Sequence, residues 1–244
     1  MELEYFFTYE TEIPEGIGFA VAGKEHILWL FFLAGISILL MCLYAGLPEQ
    51  GRRIWEYSVA FSMVFWILIR IAYIAVIGKS FLPELPLHLC SIAGILCAVH
   101  CVARWDWLGN VLYSIGLPGT VLALLFPNWG KYPAIHFISI EGFLFHAGIL
   151  LYVVSQLYSH GIVPKLGKLW QVVLFLVLVA APVYCFDRCF QVNYMFVNWP
   201  SPGSPLELLE GCLGNPGYLA GYAFFVLLGM FLMDLGYVLL AKKE

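Results

Sequence analysis

Seven windows of this chain are apolar enough, for long enough, to cross a hydrocarbon core about 30 Å thick: Ile27 to Gly46, Trp55 to Ile77, Pro86 to Arg104, Leu108 to Phe126, His136 to Leu157, Leu169 to Phe186 and Tyr218 to Leu240. A transmembrane barrel would show short alternating strands between turns instead. The chain is 62% hydrophobic and 11% charged, with a mean hydropathy of +0.87, which excludes a water-soluble globule. Sixteen acids against twelve bases, with no basic cluster, exclude a nucleic-acid partner and a disordered chain. The expected fold class is therefore all-α, a polytopic membrane helical bundle with seven transmembrane helices, and residues 1–244 read as a single membrane domain embedded in the lipid bilayer.

Within that domain, residues 1–26 form an external segment. Six acids and one Lys precede the first span, the opposite of the basic start of a signal peptide, so the chain reads as uncleaved. Residues 27–186 hold spans one to six, 187–217 a lid-like external loop, and 218–244 the last span and a cytoplasmic tail. The loop carries Pro200, Pro202, Pro205 and Pro216, which forbid one regular helix, and its apolar residues keep it at the interface. Orientation follows from Lys and Arg. Arg52, Arg53, Arg104, Lys165, Lys168, Lys242 and Lys243 lie on one side, against Lys24, Lys79, Lys131 and Arg188 on the other. Seven against four favours an external N-terminus and an internal C-terminus in a bacterial cytoplasmic membrane. No internal repeat of the kind found in many transporters is present.

Ionisable groups inside a span cost about 3 kcal/mol each on insertion scales and need a partner or a function. Measured from the outer helix ends, Arg70, Cys90, Thr120, Glu141 and His146 lie about 6 to 15 Å deep, in one layer drawn from four spans. Arg70 and Glu141 have opposite charge and read equally as an ion pair or as a phosphate clamp with its neighbour. Thr120, after Pro118-Gly119, reads as helix-packing glue, and Asp234 as an inner-interface residue. Span three opens with Leu85-Pro86-Leu87-His88-Leu89-Cys90-Ser91. Pro86 suits a first helical position, which places His88 and Cys90 in the first turn and a half, near the positive helix end that favours a thiolate. Residues two apart point about 200° apart on a helix, so His88 cannot serve Cys90 as base. His146 can, since it has the right depth and shares a face with Ser139 and Gly142. Taken singly, each of these two is equally a packing residue.

His26, His100, His136 and His160 read as interfacial or packing residues. Cys97 with Cys101, and Cys185 with Cys189, lack a histidine at ligand spacing, so no metal and no cofactor is expected. Cys189 and Cys212 flank or lie in the lid, where a disulfide could form in an oxidising compartment.

Phe7-Thr8-Tyr9-Glu10 with Ile13-Pro14-Glu15-Gly16, then LPLHLCS from Leu85 to Ser91, Phe145-His146-Ala147-Gly148, and Asn193-Tyr194-Met195-Phe196 together resemble the YwaF family of bacterial integral membrane proteins. A related animal transmembrane protein is a cysteine-dependent acyltransferase that loads fatty acyl chains onto lyso ether-phospholipids. The resemblance implies that Cys90 is the nucleophile and His146 its base, with phospholipid and lyso-phospholipid substrates. After Asn193-Tyr194-Met195-Phe196 the chain departs from the family's more aromatic Gly-Pro-Trp-rich run, reading Asn198-Trp199-Pro200 and later Gly214-Asn215-Pro216-Gly217.

The leading expectation is a lipid acyltransferase. In it Arg70, His88, Glu141, Asn193 and Tyr194 contact substrate, with Asn193 or His88 donating to the oxyanion, Arg70 holding a phosphate, and Glu141 orienting either His146 or Arg70. The alternative is a small transporter or solute-binding subunit using the same polar layer as a pocket. Cys90 separates the two, because a thioester mechanism cannot spare it. A third reading takes all the polar residues as packing glue in a structural membrane protein.

Overall fold

The computed structural model describes residues 2–241, so Lys242 and Lys243 of the charge count lie outside the described residues. Among the described residues the regular structure is entirely helical. Helices α1 (Lys24–Gly46) and α2 (Glu49–Val76) form a hairpin closed at Leu47-Pro48, where Pro48, having no N–H to leave unpaired, precedes the first turn of α2. Then come α3 (Leu89–Ala103), α4 (Asp106–Leu125), α5 (Phe137–Tyr158), α6 (Leu169–Phe190), a short α7 (Pro205–Leu213) and α8 (Tyr218–Ala241).

Six helices, α1, α2, α4, α5, α6 and α8, are long and apolar enough to cross a membrane. The seventh expected span is shorter: α3 has 15 residues, about 22 Å at 1.5 Å per residue. The cause is local. Leu85, preceding Pro86, is held extended (ψ 147), as residues before proline are, and the Leu87 amide turns back onto the Leu85 carbonyl at 2.7 Å. His88 is also extended and caps the helix from outside it. Pro86 is therefore not the first helical residue, and His88 is not in the first turn; Cys90 is the second residue of α3. The helix stops at Arg104, whose backbone is left-handed (φ 54).

One proline reshapes α4. Pro118 lacks an N–H and its ring crowds the carbonyl four residues back, and the chain answers with a wider π turn over Leu112–Gly116, the Leu117 amide reaching the Leu112 carbonyl. That turn buries Ser114, which donates to Asp234 of α8 at 2.6 Å.

The core is built on α5, which α1, α2, α3 and α4 all contact. Its central window is 72% buried, whereas those of α1, α6 and α8 are 11% buried. These outer helices turn Phe31, Leu178 and Phe224 outward, as a bilayer rather than water requires. Close approach to α5 depends on Gly148, where a Cβ would lie 2.1 Å from the Met63 Cε of α2.

The N-terminal segment is not a solvated tail. Phe6 and Thr8 carbonyls accept from the Phe137 amide and the His136 imidazole, and the Phe7 carbonyl accepts from the Tyr73 hydroxyl. It caps the same end of the bundle as the 187–217 segment, whose buried Tyr194 and Met195 pack on Leu85, Leu87 and Leu89.

Candidate functional site

Arg70 of α2 is the centre of the polar layer. Its Nη1 donates to Glu141 Oε2 of α5 at 2.9 Å, while Nε and Nη2 both donate to Glu84 Oε2 at 3.0 and 2.9 Å. The Arg70 to Glu141 ion pair expected from depth and charge is present, and Glu84 joins it. Glu141 is 4% exposed, so its charge is compensated by the guanidinium rather than by water. The Tyr9 hydroxyl donates to the other oxygen of Glu84 at 3.0 Å. Burial, with Glu84 beside it, pushes the Tyr9 phenol above its ordinary range, so it remains a donor.

His146 lies five residues beyond Glu141 on α5 and is not oriented by it. Its Nδ1–H donates to the Gly142 carbonyl at 2.6 Å, which leaves Nε2 as the free, unprotonated nitrogen. That Nε2 is buried with no hydrogen-bond partner. Trp129 stacks on the imidazole, ring centroids 5.1 Å apart and 25° between planes, and its own indole N–H is likewise buried and unpaired. Gly142 makes the stack possible, since a Cβ there would meet the Trp129 ring at 3.0 Å. Ser139, on the same face, donates to the Pro133 carbonyl and fixes the loop that carries Trp129.

Cys90 is half-buried and free. It lies on α3, which packs against α5, the helix that carries Glu141 and His146. No hydrogen bond joins Cys90 to His146, whose Nε2 has no partner. His88 Nδ1 accepts from the Met195 amide at 3.3 Å and so ties the start of α3 to the 187–217 segment.

Tyr194 and Asn193 of that segment bond to backbone. Tyr194 donates its hydroxyl to the Leu82 carbonyl and accepts from the Leu85 amide at 2.9 Å, satisfying the non-helical turn before α3 that lipid could not satisfy. Burial pushes its phenol up to about 12. Asn193 Nδ2 donates to the Trp199 carbonyl and its Oδ1 accepts from the Asn198 and Trp199 amides. These three bonds hold the side chain against its own loop, with one of the two amide N–H groups engaged. Thr120 is buried with its hydroxyl unpaired. All seven cysteines are free, so Cys189 and Cys212 form no disulfide. Among the described residues no three His, Cys, Asp or Glu side chains are grouped to hold a metal.

Sequence reasoning passed over Glu84, Tyr9 and Trp129. Glu84 stands between Pro83 and Pro86 outside any span, and only the tertiary turn carries it to Arg70. It also passed over a second network at the opposite end of α3, where Arg104 donates to Glu56 and Gln156 at 2.6 Å each and Tyr44 donates to Glu56 at 2.8 Å. The signal for that network was available, because Glu56 lies inside the second apolar window.

Residues 21–234 match the TMEM164 family. The chain belongs to the TMEM164 family. The matched region takes in LPLHLCS, Arg70, Glu141, His146 and the Asn193-Tyr194 stretch; the Phe7 to Gly16 motif precedes it. An uncharacterized protein of Treponema pallidum (strain Nichols) is 26% identical over 185 residues, which cover 74% of this chain and 75% of that protein. No solved structure matches. What joins the TMEM164 family match to the geometry is that its span contains Arg70 and both carboxylates that hold it, Glu84 and Glu141.

Proposed function

We propose that this chain is an integral membrane lipid acyltransferase that moves a fatty acyl chain between phospholipids through a Cys90 acyl-enzyme. The observation that carries the reading is His146: a buried imidazole whose Nδ1–H is locked on a backbone carbonyl and whose Nε2 lone pair has no partner, on a helix packed against the one that opens with Cys90. An imidazole arranged in this way is a general base awaiting a proton. The family resemblance of LPLHLCS and Phe145-His146-Ala147-Gly148 points to the same two residues.

In the proposed reaction the Cys90 thiol loses its proton to His146 Nε2 and attacks the ester carbonyl of a donor phospholipid. The ester C–O bond breaks, the acyl group stays on sulfur as a thioester, and the departing lyso-lipid takes the proton as its hydroxyl hydrogen. In the second half His146 accepts a proton from the hydroxyl of an acceptor lyso-phospholipid, which attacks the thioester, and the thiol is restored. No cofactor enters the balance. Arg70, with Glu141 beneath it, takes the lipid phosphate when Glu84 releases it, while His88, Asn193 and Tyr194 hold the wall of the site through the lid.

Incubation with a labelled donor phospholipid is expected to leave a hydroxylamine-sensitive acyl group on Cys90. Cys90→Ser should abolish most turnover, and His146→Ala should slow both half-reactions, by about 10²- to 10⁴-fold for loss of a general base. Cys97 and Cys101, deeper on α3, should tolerate Ala. Lipid remodelling that persists in Cys90→Ala would replace this reading with a binding or transport function for the same layer.

A further inference from the structure

Asp234 lies inside the membrane-crossing helix α8 and is 1% exposed. Ser114 donates to its Oδ2 at 2.6 Å, while its Oδ1 is buried with no hydrogen-bond partner. Among the described residues no Lys, Arg or His pairs with it. A carboxylate inside a membrane helix calls for a counter-charge. We infer that Asp234 holds a single sodium ion between α8 and the π turn of α4.

The π turn supplies further oxygens. Along a regular helix the Tyr113 carbonyl would accept from the Leu117 amide, but that amide reaches Leu112 instead. The next residue, Pro118, has no N–H to offer. The Tyr113 carbonyl is thus left without either helical donor, and it adjoins Ser114, whose Oγ bonds Asp234. Tyr113 also donates its hydroxyl to the Met233 carbonyl at 3.0 Å, so two consecutive residues of the turn are bonded to two consecutive residues of α8. Two departures from ordinary pairing, one in each helix, therefore fall at one helix contact. Carbonyls freed from a broken helix are the donors by which membrane helices coordinate sodium.

The chemistry of the donors selects the ion. All are oxygens, which suit a hard cation rather than a transition metal. One carboxylate balances one positive charge, whereas calcium would leave a charge uncompensated in hydrocarbon and gathers more oxygen ligands. Ser114 is wholly buried, and so close a helix contact favours sodium over the larger potassium. A path from the start of α4 is visible in its spacing. Asp106, Asn110 and Ser114 recur at intervals of four, running along one side of the helix from an exposed carboxylate to a buried hydroxyl. Asn110 between them is buried with its Nδ2 unpaired, a donor for a water on that path. The ion ties α8, whose central window is only 11% buried, to the rest of the bundle.

The test uses the full chain in detergent micelles at constant ionic strength, choline chloride being replaced stepwise by sodium chloride or potassium chloride. Dicyclohexylcarbodiimide modifies protonated carboxyls in apolar surroundings, and its label on Asp234 is read by peptide mass spectrometry beside a thermal melt. Sodium is expected to suppress the label saturably and to raise the melting temperature with the same midpoint; potassium and choline should do neither. Asp234→Asn, close in shape and still able to accept from Ser114, should abolish the sodium shift, and Ser114→Ala should raise the sodium concentration it needs. Labelling equal in sodium and choline would make Asp234 a neutral acid and overturn the proposal. Equal protection by potassium, no label in any salt, or a sodium shift that persists in Asp234→Asn overturns it as well. The labelling of the wild type decides the matter even where a variant does not fold. None of these outcomes bears on acyl transfer at Cys90.

Discussion

Arg70 carries one positive charge between two carboxylates, and this imbalance makes it the residue whose loss is felt most. Arg70→Leu strands Glu141 and Glu84 and is expected to cost about 3 kcal/mol or more, as removal of one partner from a buried pair does. Arg70→Leu with Glu141→Leu should recover part of that loss, and adding Glu84→Gln most of the remainder; denaturant melts of these proteins, with Glu141→Leu and Glu84→Gln alone beside them, check the coupling. Strictly additive losses would mean that the contacts at 2.9 Å carry no shared energy. Gly142 is the matching case for His146. With the Trp129 ring 3.0 Å from a Cβ built there, Gly142→Ala should displace the indole, cost about 1 to 3 kcal/mol, and slow acylation of Cys90 in the labelling assay. Acylation at the wild-type rate would show that the stack is packing alone.

At the scale of elements, the turn before α3 and the start of α5 are both held by distant chain segments. Tyr194→Phe removes the donor to the Leu82 carbonyl and the acceptor for the Leu85 amide together, an expected loss of about 1 to 3 kcal/mol that should appear as faster hydrogen exchange at Leu85. His136 joins α5 to the N-terminal segment: its Nδ1 accepts from the Ile138 amide and its Nε2–H donates to the Thr8 carbonyl. Burial pushes His136 down to about 4 from an ordinary 6.5. A folded value below the unfolded one means that its contribution is complete above about pH 6.5 and is lost as the pH falls toward 4. Thermal melts across that window should decline in the wild type, with this part of the decline missing in His136→Gln. An identical slope in both would remove His136 as the cause.

For the whole molecule the open quantity is how the chain sits across the bilayer, and α3 decides it. If α3 with its capped Leu82–His88 turn completes a crossing, seven crossings place the termini on opposite sides, and the bias of Lys and Arg puts the C-terminus in the cytoplasm. A reporter that works only in the cytoplasm, fused after Glu244, should then be active, and one fused before Met1 silent. Activity at both ends would mean that only the six long helices cross; activity only at the N-terminus would invert the molecule and move the Cys90 layer to the inner leaflet.

Periodicity and composition sufficed for the all-helical membrane class, because a backbone in hydrocarbon has few ways to satisfy its own hydrogen bonds. Depth counted along each apolar window was enough to pair Arg70 with Glu141, since helix rise is constant. What those residues touch was not legible. Glu84 and Tyr9 reach Arg70 from segments with no periodicity, Trp129 reaches His146 from a loop, and the Pro118 turn buries Ser114 against Asp234 from a helix far along the chain. Partners of this kind depend on how loops fold back over helix ends, a long-range choice that spacing along the chain does not encode. Tertiary structure alone therefore decided which carboxylates hold Arg70, which nitrogen of His146 is free, and where α3 begins.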